Sequence, residues 1–235
     1  MLQIKNLSKK FGATAVLHNI SCDIAAGTIG VFLGSSGTGK STLLRIVAGL
    51  EGHEQGELVL NGKSLAAYDV GMVFQQFNLF ENLTVLENIT FSLVEGKTRL
   101  SLPEATERAK SLLVHYGLLD FAHRYPDELS GGQKQRLAII RTIAQKPSVI
   151  CFDEPTSALD PLLKSSVART LLELAQEGYI LLVATHDIQL VEQLRCMIFL
   201  MRSGSIVQVA SSSDFAADPN NFSEIKKFMY HAQKK

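Results

Sequence analysis

Short apolar runs alternate with helical patterns along most of this chain. Residues 2–4, 29–33, 58–60 and 70–74 each read as a strand, with a turn at Asn61-Gly62. After Lys40 the period changes: Leu43, Leu44, Val47 and Leu50 fall at helical spacing, and Gly49 and Gly52 sit near the helix end. Residues 84–145 are helical in pattern. Pro103 stands at a helix start, and Ala109, Leu112, Leu113 and Tyr116 form an apolar face. Strands return at 149–152, 180–184 and 197–201, with a helix expected over 161–177. The run 197–201 pairs with 205–209 through a turn at Ser203-Gly204, and 221–235 reads as one amphipathic helix with a basic end. Strands that are apolar throughout, alternating with helices, describe a parallel sheet buried on both faces. The expected organisation is one domain, with a core of residues 1–85 and 146–235 and a helical insertion at 86–145.

Composition narrows the class. The 235 residues are 46% hydrophobic, ample for a packed core, and 23 basic residues balance 23 acidic ones. Zero formal charge gives no support to a nucleic-acid binder. Cys22, Cys151 and Cys196 lie far apart without a CxxC pair, which suggests reduced thiols in a cytosolic setting rather than a disulfide frame or zinc site. The N-terminal residues show no long apolar stretch, so no secretory leader is expected. No run approaches the roughly 18 apolar residues of a membrane helix. Any membrane role is therefore expected to come through a partner.

Residues 34–41, Gly34-Ser35-Ser36-Gly37-Thr38-Gly39-Lys40-Ser41, fit GxxxxGK[ST], with an apolar strand before and a helix after. In such a loop the glycines let successive N–H groups face a phosphate at the positive end of a helix. Lys40 sets a cation against the β- and γ-phosphates of a nucleotide, and the Ser41 hydroxyl can ligate Mg²⁺. Downstream, the strand 149–152 leads into Asp153 and Glu154. Asp153 is placed to hold the metal, and Glu154 to orient or deprotonate an attacking water. His186 follows another apolar strand; alone it would read as a surface or core histidine.

Leu129-Ser130-Gly131-Gly132-Gln133 opens a helix expected to run to about Gln145, with Ser130 as a possible N-cap and two glycines whose N–H groups could meet a second anion. LSGGQ between a phosphate loop and an acid pair is the signature order of ATP-binding-cassette (ABC) proteins, and the chain resembles their ATPase subunit over nearly its whole length. The resemblance implies a P-loop NTPase fold of the α/β class: a mostly parallel sheet, an antiparallel β-subdomain and an inserted helical subdomain.

It also implies roles. Phe11 would stack on adenine, with Val16 and Thr42 also in the nucleotide site. Gln75 would touch Mg²⁺ and water, joining Ser41 and Asp153 as metal contacts. Glu154 would be the catalytic carboxylate and His186 the switch histidine, with Gln75 and Lys40 completing the catalytic set. Ser157-Ala158-Leu159-Asp160 matches the D-loop. The family's geometry is a head-to-tail dimer with ATP sandwiched between Lys40 of one subunit and Ser130 and Gly132 of the other. Its partners would be transmembrane permease subunits and, through them, a solute-binding protein.

The runs 74–80 and 83–89, and the stretch 152–161, are similar to those of importers of polar amino acids. Glu81-Asn82, Asp187, Ile140, Thr142 and Ile143 depart from that group's usual residues without touching the catalytic set. The expectation is therefore a peripheral cytoplasmic-face ATPase energising amino-acid import. Two alternatives stand beside it: an exporter or lipoprotein-release cassette, and a non-transport soluble cassette.

Overall fold

A computed structural model describes residues 1–157 and 161–232. The chain opens with a hairpin, β1 (Leu2–Phe11) and β2 (Thr14–Ile24), that is much longer than the apolar run at its start. Leu2, Ile4 and Leu7 are buried, so the inward face changes parity within the strand. The register with β2 shifts between Ile4 and Leu7, where Asn6 takes φ +49°. Such a bulge re-aims the following side chains. In β2 the buried positions are Leu17, Ile20 and Ile24.

Next come β3 (Ile29–Leu33), α1 (Lys40–Val47), β4 (Gln55–Leu60), β5 (Lys63–Ser64) and β6 (Val70–Val73). Three helices then intervene: α2 (Val85–Glu95), α3 (Leu102–His115) and α4 (Gly131–Ala144). The chain continues as β7 (Val149–Asp153), α5 (Pro161–Gln176), β8 (Ile180–Thr185), α6 (Ile188–Gln193), β9 (Cys196–Arg202) and β10 (Ser205–Ser211). It ends in α7 (Ser212–Ala217) and α8 (Ser223–Ala232).

Two sheets result, one ordered β2-β1-β4-β5 and one β10-β9-β3-β8-β7-β6. The first is antiparallel, and in the second only the β9–β10 pair is antiparallel. Every residue of β3, β7 and β8 is buried, which explains their unbroken apolar sequences. Ile29, Val31 and Leu33 of β3 pack with the helices of one face, while Phe32 joins Leu43, Leu44 and the antiparallel sheet on the other.

The helical stretch expected over 84–145 resolves into α2, α3 and α4, each with a start encoded in sequence. Thr84 and Glu87 form a capping box at α2, and Glu104 accepts from the Ser101 backbone and hydroxyl at α3, where Pro103 lies in the first turn. Ala109 and Leu113 are buried as the apolar face predicted, with Leu112 and Tyr116 half-buried beside them. The tail helix is α8, which buries Ile225 and Met229; residues 233–235 lie outside the described set. Helices α6 and α7 were not anticipated.

The carboxyl ends of β3, β8 and β7 lie side by side, with Leu33 paired to Thr185 and Asp153 to Ala184. Gly34, Glu154 and His186 therefore leave the sheet at one edge, where open α/β sheets bind ligands.

Candidate functional site

At that edge lies a cavity of about 370 Å³ lined by Phe11, Val16, Ser36, Gly37, Gly39, Lys40, Ser41, Thr42, Gln75, Glu154 and His186. The loop ahead of α1 is shaped by its glycines. Gly39, the N-cap of α1, has φ +96°, and a Cβ there would lie 2.7 Å from Leu17 Cδ2 and 2.9 Å from the Val16 carbonyl. Gly34 has its own close neighbour: a Cβ would meet the Met201 carbonyl at 2.6 Å. Thr38 Oγ1 donates to the Ser35 carbonyl at 2.9 Å and closes the turn.

Lys40 is 5% exposed, and its ammonium donates to the carbonyls of Gly34 (2.7 Å) and Ser35 (3.0 Å). Burial pulls its pKa below the ordinary lysine value, against the opposing charges of Glu154 and Asp153. A lysine crowded this way favours an incoming anion over water. Ser41 Oγ donates to Asp153 Oδ1 at 2.6 Å, across 112 residues of sequence. Asp153 is 6% exposed. A hydroxyl and a carboxylate in contact, with the Gln75 amide at the same cavity, form an all-oxygen donor set. This suits Mg²⁺, which takes one or two protein ligands together with waters and substrate phosphates. Among the described residues no group of three or more His, Cys, Asp or Glu could form a dedicated metal cage.

Glu154 adopts φ +48°, a strained conformation for a non-glycine residue. Its Oε1 lies 2.9 Å from His186 Nδ1 and 3.8 Å from Lys40 Nζ, while Thr185 Oγ1 donates to Oε2 at 3.3 Å. The Thr185 contact was not anticipated; its only signal was its place at the end of an otherwise apolar strand. A carboxylate fixed from both oxygens beside a lysine is placed to receive a proton from water. Phe11, 48% exposed, closes the hairpin end of the cavity beneath Lys9 Nζ, which lies 4.7 Å from the ring centre.

The remaining predicted residues stand elsewhere. Ser130, Gly131, Gly132 and Gln133 do not line the cavity. Ser130 caps α4, its Oγ accepting from Gln133 N at 3.4 Å and its N–H donating to Gln133 Oε1 at 2.8 Å. Asp160, with Ala158 and Leu159, lies outside the described residues. Ser157 Oγ donates to the Glu154 carbonyl at 2.9 Å.

The sequence profile of the ABC transporter family matches residues 17–157, from β2 through the phosphate loop, the capped α4 and the acid pair. The chain belongs to the ABC transporter family. It is 41% identical to the glutamine transport ATP-binding protein GlnQ of Escherichia coli, over 98% of this chain and 99% of that protein. The glutamate/aspartate import ATP-binding protein GltL of Escherichia coli is 40% identical, over 94% and 95%. Among solved structures, the dimeric post-hydrolysis state of the ATP-binding cassette MJ0796 with ADP and Pi superposes with TM-score 0.79 at 33% identity, covering 90% of this chain and 99% of that one. CbiO1 of Clostridium perfringens, part of the ABC transporter complex cbiONQ, gives TM-score 0.82 at 27% identity, over 95% and 93%. The α/β cassette fold expected from the motifs is thereby shown, and the chain is an ABC ATPase.

Proposed function

We propose that this ABC ATPase energises import of polar amino acids, working as a head-to-tail dimer on the cytoplasmic face of a membrane beside permease subunits. The observation that carries this is one cavity bringing Lys40, Ser41, Gln75, Glu154 and His186 together, in a chain alignable end to end with amino-acid transport cassettes. No described helix is long and apolar enough to cross a membrane, which fits a peripheral subunit.

In this reading the loop 34–41 and Lys40 bind the phosphates of ATP, and Phe11 carries the adenine. Ser41, Asp153 and Gln75 would hold Mg²⁺, which when bound neutralises phosphate charge. Glu154 orients and deprotonates the lytic water, and His186 keeps that carboxylate in place. The exposed Ser130–Gln133 end of α4 covers the nucleotide of the partner copy and excludes water from it. ATP then holds the dimer closed and hydrolysis releases it. Residues 86–145 act as the helical subdomain, and the run 75–80 docks a cytoplasmic segment of the permease, passing each closure to the membrane. A solute-binding protein would supply the amino acid from the other side.

Co-expression with permease subunits of an amino-acid importer, followed by uptake into vesicles loaded with ATP, tests this directly. ATP-dependent uptake of a labelled polar amino acid is expected. Co-purification with ribosomes or nucleic acid and no membrane subunit would remove the transport reading.

A further inference from the structure

Two side chains of α4 hold segments adjoining residues of the nucleotide cavity without lining that cavity themselves. Gln135, 4% exposed, donates through Nε2 to the Pro155 carbonyl at 2.7 Å. Pro155 directly follows Glu154, whose φ is +48°. In the last turns of the same helix, Arg141 donates from Nη1 to the Asn78 carbonyl (2.8 Å) and from Nη2 to the Phe77 carbonyl (3.2 Å). Phe77 and Asn78 also take left-handed conformations, at φ +61° and +48°, and they follow Gln75 closely in the chain. The guanidinium carbon lies 5.2 Å from the Phe80 ring centre, so that plane is fixed as well.

Left-handed backbone is easy for an asparagine but costly for residues such as Glu154 and Phe77, where it persists only because the surroundings impose it. Here two strained turns, one carrying Glu154 and one following Gln75, are each held by a side chain of a single helix. That helix begins at Ser130, the residue this chain offers to the partner's nucleotide in the dimer. Over 14 residues it spans about 21 Å and moves as one rod.

We propose that Gln135 and Arg141 are positioning residues that tie Glu154 and Gln75 to the signature helix, so that the hydrolytic groups of one site follow the engagement of Ser130 at the other. The proposal rests on the head-to-tail dimer. It assigns the coupling between the two ATP sites to two hydrogen-bonding side chains, neither of which touches nucleotide.

The test uses the full chain with Gln135→Met and, separately, Arg141→Lys. The lysine keeps charge and stem but cannot bridge both carbonyls. Affinity for a fluorescent ATP analogue is expected to stay within about twofold, because the loop 34–41 is untouched, while kcat falls about tenfold to a hundredfold from misplaced catalytic groups. The Hill coefficient for ATP should fall toward one. Thermal melting identifies folded variants; if Gln135→Met does not fold, Arg141→Lys carries the test. Unchanged kcat and Hill coefficient in the folded variants would overturn the proposal. Loss of nucleotide affinity as large as the loss of kcat would overturn it too, as the mark of general damage. The dimer is checked apart, with Glu154→Gln alone and ATP on a sizing column. A dimer there, with the other effects as expected, supports the proposal; a monomer removes the dimer reading and the coupling with it.

Discussion

Nδ1 of His186 lies 2.9 Å from Oε1 of Glu154, while Thr185 Oγ1 reaches the second oxygen of the same carboxylate. One residue thus has its orientation set from both sides before substrate arrives. Glu154→Gln preserves size but removes the proposed proton acceptor. Nucleotide affinity should remain near that of the unaltered chain, and phosphate release should fall roughly 10²–10⁴-fold, the usual worth of a general base. A variant retaining a tenth or more of the rate would take the proton-acceptor role from Glu154.

Gly39 and Gly37 separate steric need from backbone preference. Both have positive φ, +96° and +80°, but a Cβ at Gly37 meets nothing within 4 Å. At Gly39 it would strike Leu17 and the Val16 carbonyl, and a backbone carbonyl gives way less easily than the tip of a side chain. Gly37→Ala should cost about 1 kcal/mol of stability from left-handed strain alone. Gly39→Ala should cost roughly 2–4 kcal/mol, because a steric clash adds to the same strain. Urea unfolding of the two variants checks the order; equal losses would contradict the clash.

The three thiols should be inert in the folded protein. Burial pushes Cys22 and Cys196 up to about 12, and it raises Cys151 further still. Since only thiolate reacts, labelling at pH 8 should be about a thousandfold slower in buffer than in denaturant, where the pKa returns to ~8.5. A colorimetric thiol assay with and without urea measures this. Rapid native labelling of even one cysteine would refute it.

Much of the fold was legible because burial on both faces writes itself plainly. The strands β3, β7 and β8 are apolar at every position but Gly30 and the terminal Asp153 and Thr185, and the capping pairs Thr84–Glu87 and Ser101–Glu104 mark two helix starts. In the hairpin β1–β2 only the first residues carry a plain strand pattern. Asn6 and Asn19 take left-handed conformations within it, so the buried residues of β2 fall at 17, 20 and 24, a spacing that imitates a helix. In the site, the phosphate loop and acid pair were legible because their residues are contiguous. Arg141, Gln135 and Thr185 were not, since each acts through a carbonyl or a neighbour that only the folded chain brings near.

Asp187 gives the site a pH-dependent support. Burial raises its pKa, but the hydrogen bonds from Lys164 (2.7 Å) and Thr156 (2.8 Å) outweigh that and hold it below the ordinary aspartate value. It also caps α6, accepting from Leu190 N at 3.3 Å. A depressed folded pKa contributes stability above the unfolded value of about 3.9, and that contribution is lost as pH falls through the folded value. Asp187→Asn should therefore cost about 1–2 kcal/mol, a charge-assisted hydrogen bond's worth, at any pH from 8 down to about 5. Below about pH 4 the two proteins should converge in stability. Denaturant titrations across that range decide it; a difference that grew in acid would reverse the assigned sign.

A groove between β6 and α2 offers a docking surface for the permease. It has a volume of about 480 Å³ and is lined by Tyr68, Phe74, Phe80, Phe91 and Arg141 among others. Phe91 is 45% exposed and meets Phe80 edge-on with ring centres 5.1 Å apart. An aromatic side chain left this open contributes little to the chain's own stability but offers a large apolar contact to a partner. Phe91 does not line the nucleotide cavity. Phe91→Ala should leave the ATPase rate of the isolated subunit within about twofold, yet weaken assembly with the permease by roughly 2 kcal/mol or more, a loss of about 30-fold. Uptake in the reconstituted transporter should fall with it. Normal uptake by a folded Phe91→Ala subunit would place the permease contact elsewhere on the surface.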